Sequence, residues 1–211
     1  MRTRSACLAL LLLAPAAGLR AQRPVQFGFA LHGSVPVGDL DKDLDGRMGG
    51  GLSFLVPMDL GLGHVVRPRL DLNAYAISDY RRYQDEYRES QTFSSFGMAA
   101  DYLFYPGGNS DRGVYFGVGL GFQRWALTNT TYDDHDHHQG REEWEITYNR
   151  TSPSFAVCLG VQANRWFAVE ARFTSAQYYG HEGVLLGDEV LDQRKVTRNG
   201  SSVQVGFTFK W

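Results

Sequence analysis

Cysteine is almost absent from this chain: Cys7 and Cys158 are the only two cysteines among 211 residues. Cys7 lies ahead of the apolar run at the N-terminus, so it is not placed like the lipidated cysteine of a lipoprotein, and cleavage of that segment would remove it. The single remaining thiol cannot form an intramolecular disulfide. The stability of the fold must therefore come from other interactions.

Long apolar runs are missing after the N-terminus. Arg2 and Arg4 precede an apolar stretch at 6–17 that is shorter than the roughly 20 residues of a membrane-spanning helix. This pattern predicts a secretory signal peptide cleaved after Ala21. No linker interrupts the remainder, so we expect two segments, a signal peptide at 1–21 and one domain at 22–211.

An excess of positive charge is missing as well. Removal of Arg2, Arg4 and Arg20 lowers the number of basic residues from 21 to 18 against 23 acidic ones, a net charge of −5. Nucleic acid is therefore not expected as a partner. Windows with helical periodicity are also absent after the leader, whereas 24 glycines and 13% aromatic residues favour an all-β protein.

Alternation of apolar and polar residues predicts eight long strands. Several have about 12 residues or more, whereas strands in soluble sheets average five to six and a tilted membrane crossing takes about 11. A half-buried strand of a soluble barrel also alternates, so length and the small, charged second face favour the membrane. The predicted strands are 25–37, 47–58, 67–79, 91–105, 113–129, 145–161, 166–178 and 199–211.

The predicted connections alternate between long and short. This alternation is typical of an up-and-down barrel with four long outer loops, three short turns and both termini on the periplasmic side. The long connections are 38–46, 80–90, 130–144 and 179–198, and the short ones are 59–66, 106–112 and 162–165.

Small residues and charges form the predicted inner face. An eight-stranded barrel has room only for side chains, so glycines at 49, 51, 117, 119 and 121 would make space for large polar groups. We expect a neutral ion-pair network in the lumen; a proton or solute path lined by the same charges is the alternative. Inward and outward residues alternate along a strand, and by this parity the members of the network are Arg69, Asp71, Asp101, Glu170, Arg172 and Lys210.

Aromatic residues cluster near both ends of the predicted strands, as expected at the two membrane interfaces. The periplasmic belt would comprise Tyr102, Phe104, Tyr105, Tyr115, Phe116, Trp166, Phe167, Phe209 and Trp211. The outer belt would comprise Tyr80, Tyr83, Tyr87, Trp125, Tyr132, Trp144, Tyr148, Tyr178 and Tyr179.

The last predicted strand alternates strictly from Val203 to Trp211. Its apolar residues lie on one face, and we expect this strand to close the barrel against Phe27 and Phe29 of the first strand. With the signal peptide, eight strands and alternating loops, the chain resembles the small eight-stranded outer-membrane β-barrels of Gram-negative bacteria, of the OmpA transmembrane domain, OmpX and OmpW type within the porin-like families. The resemblance implies that Phe207, Phe209 and Trp211 form the signal for insertion.

The resemblance implies an all-β, eight-stranded antiparallel up-and-down transmembrane β-barrel in the bacterial outer membrane. The implied partners are outer-membrane lipid, lipopolysaccharide and the barrel-assembly machinery, and the surface ligand stays open. Since this architecture hosts many activities, the resemblance leaves three candidate functions. A surface scaffold acting through the outer loops is favoured over an OmpW-like conduit for small apolar molecules and over a lipid-modifying enzyme.

Candidate chemistry is sparse. The loop around His135, His137 and His138 is rich in ligand types for divalent metals, but we interpret it as a solvated loop with at most weak metal binding. The glycines of 117–121 lack the strand-turn-helix context of a dinucleotide site. His32 and Ser34 share the inward face without a lipid-deacylase pattern, so no catalytic residue, cofactor or specific metal site is predicted.

Overall fold

The computed structural model describes residues 25–81, 87–133, 141–186 and 189–211, and the side chains within them outside 77–91, 129–149 and 181–194. The predicted signal peptide lies outside these residues. Among the described residues, one short helix, α1 (Asp39–Asp43), accompanies the strands. No helix in the described part of the chain is long and apolar enough to span a membrane. The strands are β1 (Gly28–Val37), β2 (Gly49–Leu55), β3 (Met58–Gly61), β4 (His64–Arg81), β5 (Tyr87–Phe104), β6 (Gly113–Asp133), β7 (Arg141–Asn164), β8 (Phe167–Leu186) and β9 (Glu189–Lys210).

The strands close into one antiparallel barrel. β1 pairs with both β2 and β9, and both β2 and β3 pair with β4, so β2 and β3 are two halves of one barrel strand. The break falls at Val56 and Pro57, where proline has no N–H to give to the ladder. The amide of Val56 still donates to the carbonyl of Pro68 at 2.9 Å. The prediction of a closed eight-stranded up-and-down barrel is confirmed.

The pairing register gives the tilt of the strands. On one side Gly28 pairs with Lys210 of β9, and on the other a row of paired residues leads from Gly28 round the barrel to Gly200 of β9. The two β9 positions, 210 and 200, differ by ten residues. This stagger, at ~3.3 Å per residue and ~4.8 Å between eight strands, tilts the strands by about 40°. The row passes through Leu55, Arg69, Ala99, Gly121, Ser154 and Ala176.

The end of the barrel where the described residues begin and end, at Val25 and Trp211, is here called the lower end, and it has the short turns, as predicted. They lie at 62–63, 105–112 and 165–166. At the opposite, upper end the prediction of long loops at 80–90, 130–144 and 179–198 was largely wrong. Most of those residues extend β4 to β9, because antiparallel hairpins continue to satisfy backbone hydrogen bonds beyond the barrel.

Side-chain parity, rather than position near a strand end, decides where the aromatic residues lie. Phe104, Phe116, Trp166, Phe209 and Trp211 point outward, as the lower belt requires. Tyr105, Tyr115, Trp125 and Tyr178 were also placed in belts, which was wrong: each is at most 2% exposed inside the barrel. Because they share the parity of inward residues, they pack in the lumen. Most of the predicted outer belt lies where side chains are not described.

The first and last strands form the predicted seam. Phe29 pairs with Phe209, and their rings stack with centroids 5.2 Å apart. Phe27 and Trp211 exchange both backbone hydrogen bonds, at 3.2 and 2.9 Å. The C-terminal strand is therefore held to β1 along its whole lower half.

Candidate functional site

A buried ion-pair network fills the middle of the lumen. Asp101 of β5 is reached by Arg67 Nη2 at 2.8 Å, Arg172 Nη1 at 2.9 Å and Arg69 Nη1 at 3.5 Å. Glu170 of β8 is reached by Arg67 Nη1 at 2.7 Å. Arg69 Nη2 lies 2.5 Å from Asp71 Oδ1. The three guanidinium and three carboxylate groups sum to zero charge, and they connect β4, β5 and β8 across the barrel.

Glycine makes room for this network. A Cβ at position 119 of β6 would overlap Asp101 Oδ1 and come within 3.1 Å of Arg172 Nη2. At position 117 it would overlap Leu103 and Cys158, and at position 51 the side chains of His32 and Asn73. Four of the five glycines predicted on the inner face, those at 49, 51, 117 and 119, thus lie against side chains in the lumen. A Cβ at position 121 would instead meet the backbone of Met98 and Ala99.

Below the ion pairs, aromatic and amide groups close the lower end. Tyr115 donates to Glu170 Oε2 at 2.8 Å, and its ring lies 5.0 Å from that of Tyr105. Gln162 donates to the carbonyls of Asn164 and Phe167, at 2.5 and 3.0 Å. Lys210 donates to Gln162 Oε1. Of the six charges predicted for the lumen, the structure brings five together, and Lys210 lies apart from them at this lower end.

Above the ion pairs, neutral polar side chains cross the lumen. His32 Nε2 lies 2.7 Å from Asn73 Oδ1, and Ser34 Oγ lies 2.6 Å from the Tyr75 hydroxyl. Asn73 also bonds Ser95 and Gln204 at 3.2 Å. His32 and Ser34, which share a face in the sequence, are each held by a different neutral partner on β4.

An apolar cluster fills the upper lumen. Leu40 and Leu44, in and just after α1, are buried against four residues that project from the barrel wall. The Phe93 and Trp125 rings stack with centroids 4.9 Å apart, and Tyr178 packs against both. Trp125 Nε1 is buried and has no hydrogen-bond partner in the described structure. The upper-lumen cluster comprises Leu40, Leu44, Tyr75, Phe93, Trp125 and Tyr178.

Polar contacts fasten α1 over this cluster. The Tyr178 hydroxyl donates to Asp43 Oδ2 at 2.5 Å, and Arg198 of β9 pairs with the other oxygen of Asp43. The amide of Asn199 donates to Asp39 at 3.3 Å. The connection after β1, predicted as an acidic loop, therefore covers the upper end of the lumen, and we call α1 together with Leu44 the stopper helix. Its two leucines pack on the apolar cluster below, and Asp39 and Asp43 contact β8 and β9.

The barrel wall divides at its upper end between β7 and β8. Within the described ranges, these strands pair from Asn164 and Phe167 up to Ser154 and Ala176, and not above. Beyond that point β7 stays paired with β6 and β8 with β9, up to the ends of both hairpins. At the division, Ser152 Oγ accepts from the amide of Gln177 at 2.9 Å and donates to its carbonyl at 2.7 Å.

Two cations flank one tyrosine just above this division. Arg150 Cζ lies 4.9 Å and Lys195 Nζ 4.1 Å from the centre of the Tyr179 ring. Arg150 also donates to Thr197 Oγ1 at 3.1 Å. These contacts join β7 to the β8–β9 hairpin through side chains where the backbone ladder has ended.

Three groups escaped the sequence-based prediction. Arg67 shares the parity of Arg69 but was assigned to a strand end, and its burial at 1% exposure shows that the strand begins earlier. The upper-lumen cluster was missed because Trp125 and Tyr178 were assigned to a membrane belt. The alternation of inward and outward residues along each strand could have identified Arg67, Trp125 and Tyr178 as inward residues. The division between β7 and β8 has no sequence signal beyond Pro153.

The remaining candidate residues give no assembled site. His135, His137 and His138 lie outside the described residues, and so does the side chain of His181. His64 lies in the lower turn region, with Nδ1 2.5 Å from the Tyr102 hydroxyl. Among the described residues no group of three or more His, Cys, Asp or Glu is arranged to hold a metal ion.

Comparison with known proteins finds similarity in fold. No protein-family model matches the chain. No curated protein matches it either. Among solved structures, Ail, the attachment invasion locus protein of Yersinia pestis, in complex with the heparin analogue sucrose octasulfate, is 12% identical with a TM-score of 0.50, covering 89% of this chain and 97% of Ail.

Two further structures match less closely in shape. A major outer membrane protein from Thermus thermophilus is 12% identical with a TM-score of 0.49, covering 90% of this chain and 100% of its own. The N-terminal β-barrel domain of Pseudomonas aeruginosa OprF is 12% identical with a TM-score of 0.44, covering 88% and 97%. The chain has the fold of a small eight-stranded outer-membrane β-barrel.

Proposed function

We propose that the chain is exported to the bacterial outer membrane and acts there as an interaction scaffold, through the strands that rise above the barrel. The outward face supports the membrane placement. On β6 the side chains of Val114, Phe116, Val118, Leu120 and Phe122 are 47 to 74% exposed. Their span of eight residues, tilted by about 40°, covers a height of about 20 Å, close to the ~25 Å apolar band of such barrels.

The filled lumen favours a role at the surface over transport. Ion pairs block the middle of the barrel, tyrosines and Gln162 close the lower end, and the stopper helix covers the upper end. A solute would have to displace buried, mutually bonded charges, which is strongly unfavourable. The proposal includes no catalytic step, because His32 and Ser34 are each bonded to a neutral side chain of β4.

The observation that carries the scaffold proposal is the pair of strand edges at the upper division. β4 to β7 continue upward as one sheet, and β8 with β9 continues as a separate hairpin. β7 and β8 each present a backbone edge that the other does not pair above Ser154 and Ala176. Exposed edges can accept an added strand from another protein.

The Arg150, Tyr179 and Lys195 group gives a second contact surface beside these edges. Guanidinium and ammonium groups held on an aromatic ring are suited to bind sulfate or phosphate groups. Ail, whose fold is similar, was solved with a sulfated sugar analogue. We therefore propose polyanionic glycans as a partner class.

Binding of a fluorescent sulfated heparin oligosaccharide to whole cells tests this proposal. The charge-removed variant carries Arg150→Gln and Lys195→Gln, and the control variant carries Arg165→Gln, whose guanidinium lies over Trp166 at the lower end. Cells with the parent protein or R165Q are expected to bind the oligosaccharide above vector-only cells, and the double variant about tenfold less. Equal binding by all three proteins at equal surface levels would refute the glycan proposal.

A conduit for small apolar molecules is the second candidate, favoured by two features together. The upper lumen is apolar, whereas the sequence alone indicated only small and charged inward residues. The division between β7 and β8 lies beside Tyr178, which would allow lateral exit. An apolar molecule would replace Leu40 and Leu44 under the stopper helix.

Naphthalene binding, followed by quenching of tryptophan fluorescence, tests the conduit. The double variant Leu40→Ala with Leu44→Ala opens the space beside Trp125 and is expected to bind naphthalene several-fold more tightly than the parent. Leu62→Ala, at the exposed lower turn, is the control. Identical quenching in the three proteins would contradict the apolar site. Conductance in planar bilayers tests the lumen separately, and persistent open channels would contradict a closed lumen.

A further inference from the structure

The β8–β9 hairpin stands apart from the barrel wall above Ala176 and Gly200. Within the described ranges β8 has no backbone pairing with β7 above Ala176, and β1 pairs with β9 only as far as Ser201. A two-stranded hairpin is marginally stable by itself. Side-chain contacts on its two faces therefore help to hold this part of the hairpin in place, and we call residues 177–186 and 189–200 the upper hairpin.

The inward face of the upper hairpin holds the stopper helix. Tyr178 and Arg198 are paired in the register, and both bond Asp43. The Arg198 side chain crosses β8 at Gly180, where a Cβ would lie 2.7 Å from both Cδ and Nε of the arginine. Atoms at this distance would overlap, so the lack of a side chain at Gly180 lets Arg198 reach the stopper helix.

The base of the upper hairpin packs on the upper-lumen cluster. The ring centroids of Tyr178 and Trp125 lie 5.6 Å apart, and a Cβ at Gly200 would overlap the Trp125 ring, at 2.5 Å from Cζ2. Trp125 is 1% exposed beneath these contacts. The accessibility of Trp125 to solvent therefore reports whether the upper hairpin and the stopper helix keep their positions.

The outward face of the upper hairpin is tied to β7. Tyr179 and Thr197 form the register pair next to the one that holds Asp43. Arg150 of β7 donates to Thr197 Oγ1 at 3.1 Å and lies over the Tyr179 ring, which Lys195 Nζ also contacts at 4.1 Å. Because consecutive residues of a strand point to opposite faces, the contacts to the stopper helix and the contacts to β7 lie one residue apart on opposite faces of the hairpin.

We infer that the upper hairpin couples the outer surface to the lumen, so that a polyanion bound to Arg150 and Lys195 loosens the stopper helix and exposes the upper-lumen cluster. A sulfate group can accept two parallel, charge-assisted hydrogen bonds from a guanidinium, in competition with the single hydrogen bond to Thr197. Binding therefore favours a hairpin released from β7. This release moves the two residues that hold Asp43 away from it.

This inference rests on the surface scaffold proposed above and takes polyanionic glycans as its partner class, but its first test needs no glycan. The measurement is acrylamide quenching of Trp125 in the purified barrel, with the other tryptophans replaced by phenylalanine. The charge-removed variant, Arg150→Gln with Lys195→Gln, loses the contacts to β7 directly, and Arg165→Gln at the lower end is the control. The mobility of unboiled protein on a gel confirms that each variant is folded before quenching is measured.

The charge-removed variant is expected to raise the quenching constant of Trp125 about threefold over the parent, because local opening of the hairpin exposes the ring, and R165Q is expected to leave it unchanged. A sulfated heparin oligosaccharide should raise quenching in the parent by a similar factor, whereas uncharged dextran of the same length should not. The charge-removed variant should show no further rise when the sulfated sugar is added.

Coupling between two sites is reciprocal, so freeing the stopper helix must strengthen binding at the surface. Asp43→Ala is therefore expected to bind the sulfated oligosaccharide about fivefold more tightly than the parent. Asp45→Asn removes the same charge two residues away at an exposed position, and it is expected to bind the sugar like the parent. This control separates release of the stopper helix from the loss of a negative charge.

Unchanged quenching of Trp125 in the charge-removed variant would overturn the inference, whether or not a glycan binds. Binding of the sulfated sugar without a rise in quenching, or equal affinities of D43A and D45N for it, would overturn the inference as well. Raised quenching in the charge-removed variant together with no binding of the sulfated sugar would support the coupling and refute polyanionic glycans as the partner. The coupling and the glycan proposal can therefore fail separately.

Discussion

Asp101 is the centre of the lumen, and its replacement by asparagine tests the ion-pair network most sharply. The carboxylate accepts five hydrogen bonds from the guanidinium groups of Arg67, Arg69 and Arg172, at 2.8 to 3.5 Å. The side chain is fully buried. An asparagine at this position would keep the shape but lose the charge, and its amide N–H groups would face the donors of the three arginines.

The expected magnitude follows from this geometry. The parent network holds three positive and three negative groups, so Asp101→Asn leaves one buried positive charge without compensation. Removing one partner of a buried ion pair costs about 3 to 5 kcal/mol. Replacing the whole pair is far less harmful, so Arg172→Gln, which removes a guanidinium paired with Asp101, should restore part of the loss when combined with D101N.

The assay is urea unfolding of the barrel in phospholipid vesicles, followed by gel mobility without boiling and by tryptophan fluorescence. D101N is expected to lower the free energy of unfolding by about 3 to 5 kcal/mol. The control is Asp45→Asn at an exposed position with φ 51°, where asparagine fits equally well and the change should stay within about 0.5 kcal/mol. A loss below about 1 kcal/mol in D101N, or a double variant as unstable as the sum of its singles, would refute the network's role.

Three further predictions follow from contacts elsewhere in the barrel. Gly119→Ala is expected to lower the free energy of unfolding by about 2 kcal/mol because its Cβ overlaps Asp101, whereas Gly33→Ala should have an effect below about 0.5 kcal/mol, both measured by urea unfolding. Asp43→Ala should free the stopper helix, and in a chain whose other tryptophans are replaced by phenylalanine Trp125 should become more accessible to acrylamide quenching; unchanged quenching would contradict the fastening contacts. Deleting Phe209 to Trp211 removes the stacking on Phe29 and the backbone pairing with Phe27, so the folded form on unboiled gels should be lost, and normal outer-membrane levels would count against this.

The fold could be predicted from the sequence because alternation determines which face each residue occupies. Val114 to Phe122 alternates without interruption with glycines and Tyr115, and the structure places the two sets on opposite faces. The same alternation predicted that Arg69, Asp71, Asp101, Glu170 and Arg172 point into the barrel, and the structure places all five side chains there. The same rule would have identified Arg67, Tyr115 and Trp125 as inward residues, but their positions near strand ends led to other assignments.

The upper end could not be predicted in this way. The alternation of long and short connections identified the two ends of the barrel, but it carried no information on how far the hairpins continue. Backbone hydrogen bonds extend β6 and β7 to Asp133 and Arg141, through residues that are mostly polar. The stopper helix depends on tertiary contacts between Leu40, Leu44 and distant aromatic residues, which no local pattern reports.

Fractionation of expressing cells, combined with gel mobility before and after boiling, tests the central claim most directly. An outer-membrane barrel should be extracted with the outer-membrane fraction, migrate as a compact form when unboiled, and shift to its full apparent mass on boiling. Recovery of the protein as a soluble periplasmic species with the same mobility before and after boiling would contradict the account.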